Sequence, residues 1–126
     1  MQNSILKRII SLEYLLAAIL VAVFYVVIGQ FDWYWLIILF LAFDLTMIGY
    51  VVNTRVGAVL YNISHSLIGP AILMTIYIST DNRVVLFVVL VWLFHIFVDR
   101  ALGYGLKHST GFQHTHLGTI GKANKK

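Results

Sequence analysis

No cysteine occurs among the 126 residues of this chain. Disulfides, thiolate-bound metals and a cysteine nucleophile are thereby excluded, and the redox compartment is left open. Proline occurs once, at Pro70. Charge is scarce: Asp, Glu, Lys and Arg make up 11% of the residues, where a soluble domain has about 25%. A chain so poor in charge cannot clothe a water-facing surface. It also lacks a G-x-S-x-G nucleophile elbow, a phosphate-binding glycine loop and a G-x-x-x-G helix-pairing motif. The net charge of +4 forms no basic face, because the lysines sit towards the chain ends, so nucleic acid is not an expected partner.

What is present is apolar. Hydrophobic residues account for 60% of the chain, and the mean hydropathy is +0.88. One integral membrane domain is the class that accommodates this. Four apolar runs, at about residues 9–28, 33–52, 56–78 and 84–103, are separated by short polar breaks. Each approaches the ~20 residues that cross a hydrocarbon core. The first is too long for a signal-peptide core and no A-x-A-like site follows it, so it reads as a retained helix. Short connections make successive helices antiparallel neighbours. The expected fold is therefore all-α: an integral membrane four-helix antiparallel bundle over residues 1–103, with a cytoplasmic tail at 104–126.

Charge sets the orientation. Lys7, Arg8, Arg55, Arg100, Lys107, Lys122, Lys125 and Lys126 fall on the terminal side of such a bundle, and only Arg83 on the other. The positive-inside rule then places both termini in the cytoplasm. Trp33, Tyr34 and Trp35 are expected in an outer aromatic belt. The tail beyond Gly103 has no helical period. Its apolar residues Tyr104, Leu106, Phe112 and Leu117 suggest packing against the cytoplasmic mouth, with the last six residues disordered.

Polar groups interrupt every span. His95 and Asp99, in VWLFHIFVDRALG, are four apart and share a helix face; Asn62 and His65 are three apart. Ionisable groups at bilayer depth cost roughly 2.5–3.5 kcal/mol on insertion scales, so they suggest function. Counted from the cytoplasmic ends, Glu13 lies roughly 8 Å deep, Asp44 13 Å, His65 15 Å, His95 12 Å and Asp99 6 Å. These depths agree although the groups come from four helices of alternating direction. Asp44, His65, His95 and Asp99 are the expected ligands of a divalent metal, Zn²⁺, Mn²⁺ or Fe²⁺, because imidazole and carboxylate are the strong ligands a cysteine-free chain offers. Asp44 and Glu13 are the catalytic candidates. Asn62, Arg100 and His116 are expected beside the ligands, with Arg100 also readable as a residue snorkelling to the interface. A hydrogen-bonded His95–Asp99 pair that only fixes helix packing is equally compatible with the spacing. Pro70 removes a donor to the Ser66 carbonyl and predicts a kink in the third span, either incidental or shaping a cavity beside His65.

The segments FDLTMIGYVVNTRVGAVLYNISH, HIFVDR and DRALGYGLKHSTGFQHTHLG carry a resemblance over roughly residues 8–120. They resemble domain of unknown function family 4260, a family of small bacterial four-helix membrane proteins. The resemblance implies a four-span inner-membrane protein and brings no activity, substrate or cofactor. The family pattern has an acidic residue where this chain has His114, which leaves His116 the better candidate in the tail.

Several functions are compatible with such a site. A metal-dependent membrane hydrolase would act on a lipid-like or amphipathic small molecule, with the bilayer as its other partner. A proton- or ion-coupled carrier would use the same residues as a relay and, with so few spans, work as a homodimer. A structural membrane protein would use them only to fix helix register. Haem between His65 and His95 requires the two rings to face each other across the bundle.

Overall fold

The computed structural model describes residues 2–107 and 114–119. The expected disorder of the last six residues, and His108, lie outside the described residues. Four long apolar helical segments cross the molecule: Asn3–Ile28, Tyr34–Val51, Thr54–Thr80 and Arg83–Ala101. The protein is a small all-α membrane bundle. Its outer faces carry large apolar side chains that water would not tolerate, such as Leu20, Val27, Ile63, Ile78 and Val84. A hydrocarbon solvent satisfies them, and every spanning backbone must then pair within itself.

Three of the four segments depart from a straight α-helix. Helix α1 (Gln2–Val23) ends in a π-helical turn, Phe24–Ile28. That turn buries Tyr25, whose hydroxyl donates to the Asp32 carbonyl at 2.9 Å. Phe31 and Phe87 pack on the Tyr25 ring, and Arg83 lies over Phe31 while donating to the Gly29 carbonyl. The first connection is thus tied to the start of the last helix.

The second segment begins as α2 (Tyr34–Ile38) and continues as a 3₁₀ helix, Phe40–Val51. Side chains three apart eclipse in a 3₁₀ helix. Phe40, Phe43, Thr46 and Gly49 therefore form one ridge, and the described contacts of all four turn inward. Leu45, Ile48 and Val51 form another ridge and are 73%, 72% and 85% exposed. The sequence places a small or aromatic residue at every third position here, so a 3.0-residue repeat buries it better than 3.6 would.

The third segment breaks. Helix α3 (Thr54–His65) starts on an Asn53 cap, whose side chain accepts from the Val56 amide. It stops at His65, with Ser66 extended at φ −95° and ψ 153°, and α4 (Ile68–Thr80) follows. The kink expected at Pro70 is instead this interruption. Pro70 is the third residue of α4, where a missing amide hydrogen costs nothing. Gly69 completes the break: a Cβ there would run into the Trp92 ring.

Helix α5 (Arg83–Ala101) is the axis of the bundle, capped by Asn82 and burying Val89, Leu90, Val91, His95 and Ile96. Helices α1 and α4 pack along it, while α3 packs chiefly on the 3₁₀ helix. Its end explains the DRALGYG motif. Gly103 at φ 92° lets Tyr104 N–H reach the Asp99 carbonyl at 2.8 Å and Gly103 N–H reach Arg100 at 3.0 Å. The chain then turns back over the end of α3, where Lys107 bridges Thr115 and a two-residue hairpin, His114–Thr115 with Gly118–Thr119, follows.

Candidate metal centre

Four side chains from three segments meet inside the bundle. Asp44 comes from the 3₁₀ helix, His65 from the last residue of α3, and His95 and Asp99 from successive turns of α5. His65 Nε2 lies 3.3 Å from Asp44 Oδ1 and 3.2 Å from Asp99 Oδ2. His95 Nε2 lies 3.4 Å and 3.2 Å from the same two oxygens. The two Nε2 atoms are 2.9 Å apart. One ligand atom from each residue falls within 4.8 Å of all the others. Three of the side chains are well buried, His95 at 0% exposed, His65 at 2% and Asp99 at 12%, whereas Asp44 is 27% exposed.

The surroundings fix how His65 presents itself. Its Nδ1 is 2.9 Å from the Tyr61 carbonyl oxygen, which can only accept. Nδ1 therefore carries a hydrogen, and in the neutral ring Nε2 turns a bare lone pair towards the cluster. Tyr61 also stacks its ring on His65, 3.8 Å between centroids and 9° between planes. The Ser64 hydroxyl touches His65 Nδ1, the Tyr61 carbonyl and the Thr46 hydroxyl, which links α3 to the 3₁₀ helix. His95 sits between the rings of Phe40 and Phe43, with Nδ1 turned to the Phe40 main chain without a fully formed hydrogen bond.

The helix break beside His65 leaves carbonyls that the α-helix no longer satisfies. Trp92 Nε1 donates to the Ser64 carbonyl. Arg100 donates from Nη2 to the His65 carbonyl and from Nη1 to the Tyr104 carbonyl, both at 3.0 Å. Arg100 is thus a buried clamp between the break and the tail, not a side chain reaching for the interface.

The other sequence candidates lie elsewhere. Glu13 is exposed on α1 and takes no part in the four-residue cluster. The inward stripe of α1 runs through Tyr14, Ala18 and Tyr25, and position 13 is about 100° away from Tyr14. Asn62 points to the tail: its amide donates to the Lys107 carbonyl at 2.8 Å and accepts from the Lys107 amide at 2.6 Å. His116 is exposed in the tail, and its Nδ1 accepts from the Leu106 amide at 2.8 Å. The side chain of His114 lies outside the described residues. Burial lowers the pKa of Lys107, which is held beneath the tail with its Nζ 4.9 Å from the Tyr61 ring centroid.

Tyr61, Ser64, Thr46 and Trp92 are the site residues that the sequence reading missed. A signal existed: Tyr61 and Ser64 precede His65 by four and one, so a helix brings Tyr61 and His65 onto one face.

Residues 7–120 match the model of a family described as a domain of unknown function, DUF4260. The chain belongs to this family. No curated protein and no solved structure matches it. Geometry is what distinguishes the roles of these DUF4260 residues.

Two trans metal–nitrogen bonds span roughly 4 Å, twice a single bond. Two Nε2 atoms 2.9 Å apart do not leave room for a porphyrin between them, so the haem arrangement does not fit this site.

Proposed function

We propose that Asp44, His65, His95 and Asp99 bind one divalent metal ion, Zn²⁺, Mn²⁺ or Fe²⁺, in a membrane-embedded metal-dependent hydrolase. The observation that carries this is the convergence of four ligand atoms on one point inside an apolar bundle. Bonds of about 2.05 Å to a tetrahedral ion put neighbouring ligand atoms roughly 3.3 Å apart. Five of the separations here are 2.9, 3.2, 3.2, 3.3 and 3.4 Å.

Charge supports the same conclusion. Two carboxylates in a low-dielectric bundle need two positive charges. Two imidazoliums cannot supply them, because both Nε2 atoms would then carry hydrogens while facing each other at 2.9 Å. One proton between the rings supplies a single positive charge, and the further cations near Asp99 are Arg100 and Lys107, which are engaged with carbonyls and the tail. A single divalent ion would balance Asp44 and Asp99 directly.

The division of labour follows from burial. His65, His95 and Asp99 make a buried two-histidine, one-carboxylate face, an arrangement that suits an ion with further positions open. Asp44 is the accessible group and stands on the least regular helix. As the fourth ligand it would bind through one oxygen, and its second oxygen would accept a proton from a water held at an ion that expands to five positions. The ion would supply an acidified water and polarise the scissile carbonyl or phosphoryl oxygen. Asp44 would hold the proton taken from that water and return it to the leaving oxygen as its bond to the substrate centre breaks. A lipid-like or amphipathic molecule is the substrate class a site at this depth can meet. We also propose a bacterial inner membrane with both termini in the cytoplasm, which the basic bias of the terminal side supports.

Metal analysis of untagged protein, purified after growth with Zn²⁺, Mn²⁺ and Fe²⁺, tests the site. One divalent ion per chain is expected, falling below a tenth in His65→Ala and His95→Ala. Asp44→Asn should keep the ion and lose hydrolysis of ester or phosphoester lipids in nanodiscs by about 10²–10⁴-fold, the usual worth of a positioned base. Wild-type protein without stoichiometric metal would defeat the assignment.

A helix broken beside a ligand also occurs at the ion sites of carriers, and the interruption at Ser66 favours that as the second reading. Metal-driven flux into proteoliposomes, with no hydrolysis, would select it.

A further inference from the structure

An apolar cleft of about 110 Å³ lies between the second segment and α5, lined by Leu39, Ala42, Phe43, Phe87, Val88 and Val91. A single water needs about 10–15 Å³ on the same measure, together with two or more polar partners. The cleft has room for several waters and offers them no polar wall. It is therefore a place for hydrocarbon.

Its position relates it to the metal centre. Phe43 forms one wall, stacks on Trp92 at 5.3 Å and lies 5.5 Å from the His95 ring. The next residue is Asp44. On α5, Val91 and Phe87 precede His95 by four and eight residues, or about 6 and 12 Å along the axis. The cleft thus lies on the mid-bilayer side of the cluster, with the Phe43 ring between the two. His95 and Asp99 lie about 9 and 3 Å from the terminal-side end of α5 at Ala101. One leaflet's hydrocarbon is about 15 Å deep. A chain of that length, with its ester at the cluster, ends in the cleft.

We infer that this cleft holds one acyl chain of a phospholipid from the terminal-side leaflet, with the ester and headgroup linkage of that lipid at the Asp44 side of the cluster. The headgroup half of this placement rests on the metal-site reading, and the chain half does not. Ala42 lines the groove from the 3₁₀ helix with a single methyl, and Val88 lines it from α5.

Native mass spectrometry of the purified full-length protein, moved from a maltoside into a delipidating polyoxyethylene detergent, tests the inference. Phosphatidylethanolamine and phosphatidylglycerol are the probes, added back at defined ratios. Wild-type protein should retain one phospholipid per chain. Ala42→Phe and Val88→Phe, which fill the cleft from opposite walls, should each cut the retained fraction at least fivefold while keeping wild-type metal content. Leu41→Phe, on an exposed position beside Ala42, should change nothing. His65→Ala separates the two proposals: lost metal with the lipid retained keeps the cleft and sinks only the headgroup placement. Equal retention in wild type, Ala42→Phe and Val88→Phe would overturn the inference, as would a retained mass belonging only to detergent or free fatty acid.

Discussion

Arg100→Lys keeps the charge and most of the length of the side chain, yet it should disable the link between the His–Asp cluster and the tail. Arg100 serves two carbonyls at once, His65 through Nη2 and Tyr104 through Nη1. A planar guanidinium can do this because its donors diverge in a fixed fork, whereas an ammonium is a point charge on a flexible stem. Lysine can satisfy one carbonyl. The other loses its partner, and a hydrogen bond to a charged donor is worth about 1.5–3 kcal/mol. A loss of about 2 kcal/mol is expected, roughly thirtyfold in the folded-to-unfolded ratio. The ligand should feel it too. His65 is the last residue of α3, and its carbonyl is the one Arg100 holds. Groups that orient a metal ligand are typically worth 10–100-fold in affinity, and a weakening in that range is expected here.

The assay pairs two measurements on one preparation: reversible unfolding in mixed maltoside–dodecyl sulfate micelles, and competition for the ion with a chelator of known affinity. Arg100→Met completes the set. It removes both hydrogen bonds but also the burial of a charge, so it should be no more than a few kcal/mol worse than Arg100→Lys. If Arg100→Lys matched wild type in both stability and metal affinity, the clamp would be refuted and Arg100 would be the snorkelling residue that the sequence alone allowed.

Gly69→Ala should cost about 1–3 kcal/mol, because the added methyl meets the Trp92 ring and must push it from the Ser64 carbonyl; tryptophan fluorescence and unfolding in the same micelles report it. Thr46→Val should weaken metal binding by no more than tenfold and stability by about 1 kcal/mol, since it removes one of several contacts of the Ser64 hydroxyl. Asn62→Leu should leave metal content intact and release the tail, seen as faster trypsin cleavage after Lys107 in detergent. Lys107 gives that docking a pH dependence. Its folded pKa is lowered by burial, so the released tail binds the proton better than the docked one. Docking should strengthen as pH rises through the alkaline range towards 10.5, its unshifted value, and Lys107→Met should flatten the trend.

Hydrophobic run length was enough to read the class of fold. Runs of about twenty apolar residues with short polar breaks permit little else than spanning helices. The shape of each helix was not legible in the same way. FLAFDLTMIGYV is apolar throughout, so a period of 3.6 and one of 3.0 leave similar marks on hydropathy. Only the partners of Phe40, Phe43, Thr46 and Gly49 choose between them. At Pro70 the local rule pointed to the Ser66 carbonyl, whereas the carbonyls taken up by incoming donors are those of Ser64 and His65. Whether the helix bends or stops depended on what could enter the gap. The indole of Trp92 and the guanidinium of Arg100 come from 22 and 30 residues downstream, beyond the reach of a local rule.

Depth along a helix can be counted from sequence, and rotation about its axis cannot. Agreement in depth brought Asp44, His65, His95 and Asp99 under suspicion together, and these four do meet. Glu13 passed the same test and lies on the exposed face of α1. A helix gains no depth error from being turned, so depth alone cannot separate an inward residue from an outward one. Pairs within one helix carry part of the missing information. His95 and Asp99, four apart, must face together, and one inward residue commits the other. Asp44 and Glu13 have no such companion. Their rotation is decided by neighbours: Tyr14 turns to Phe97 and takes Glu13 outward, while Phe43 stacks on Trp92 and brings Asp44 to the rings of His65 and His95. An isolated ionisable residue in an apolar span is therefore assigned most securely through the aromatic residue next to it, because the ring's packing fixes the turn that the charge itself leaves open.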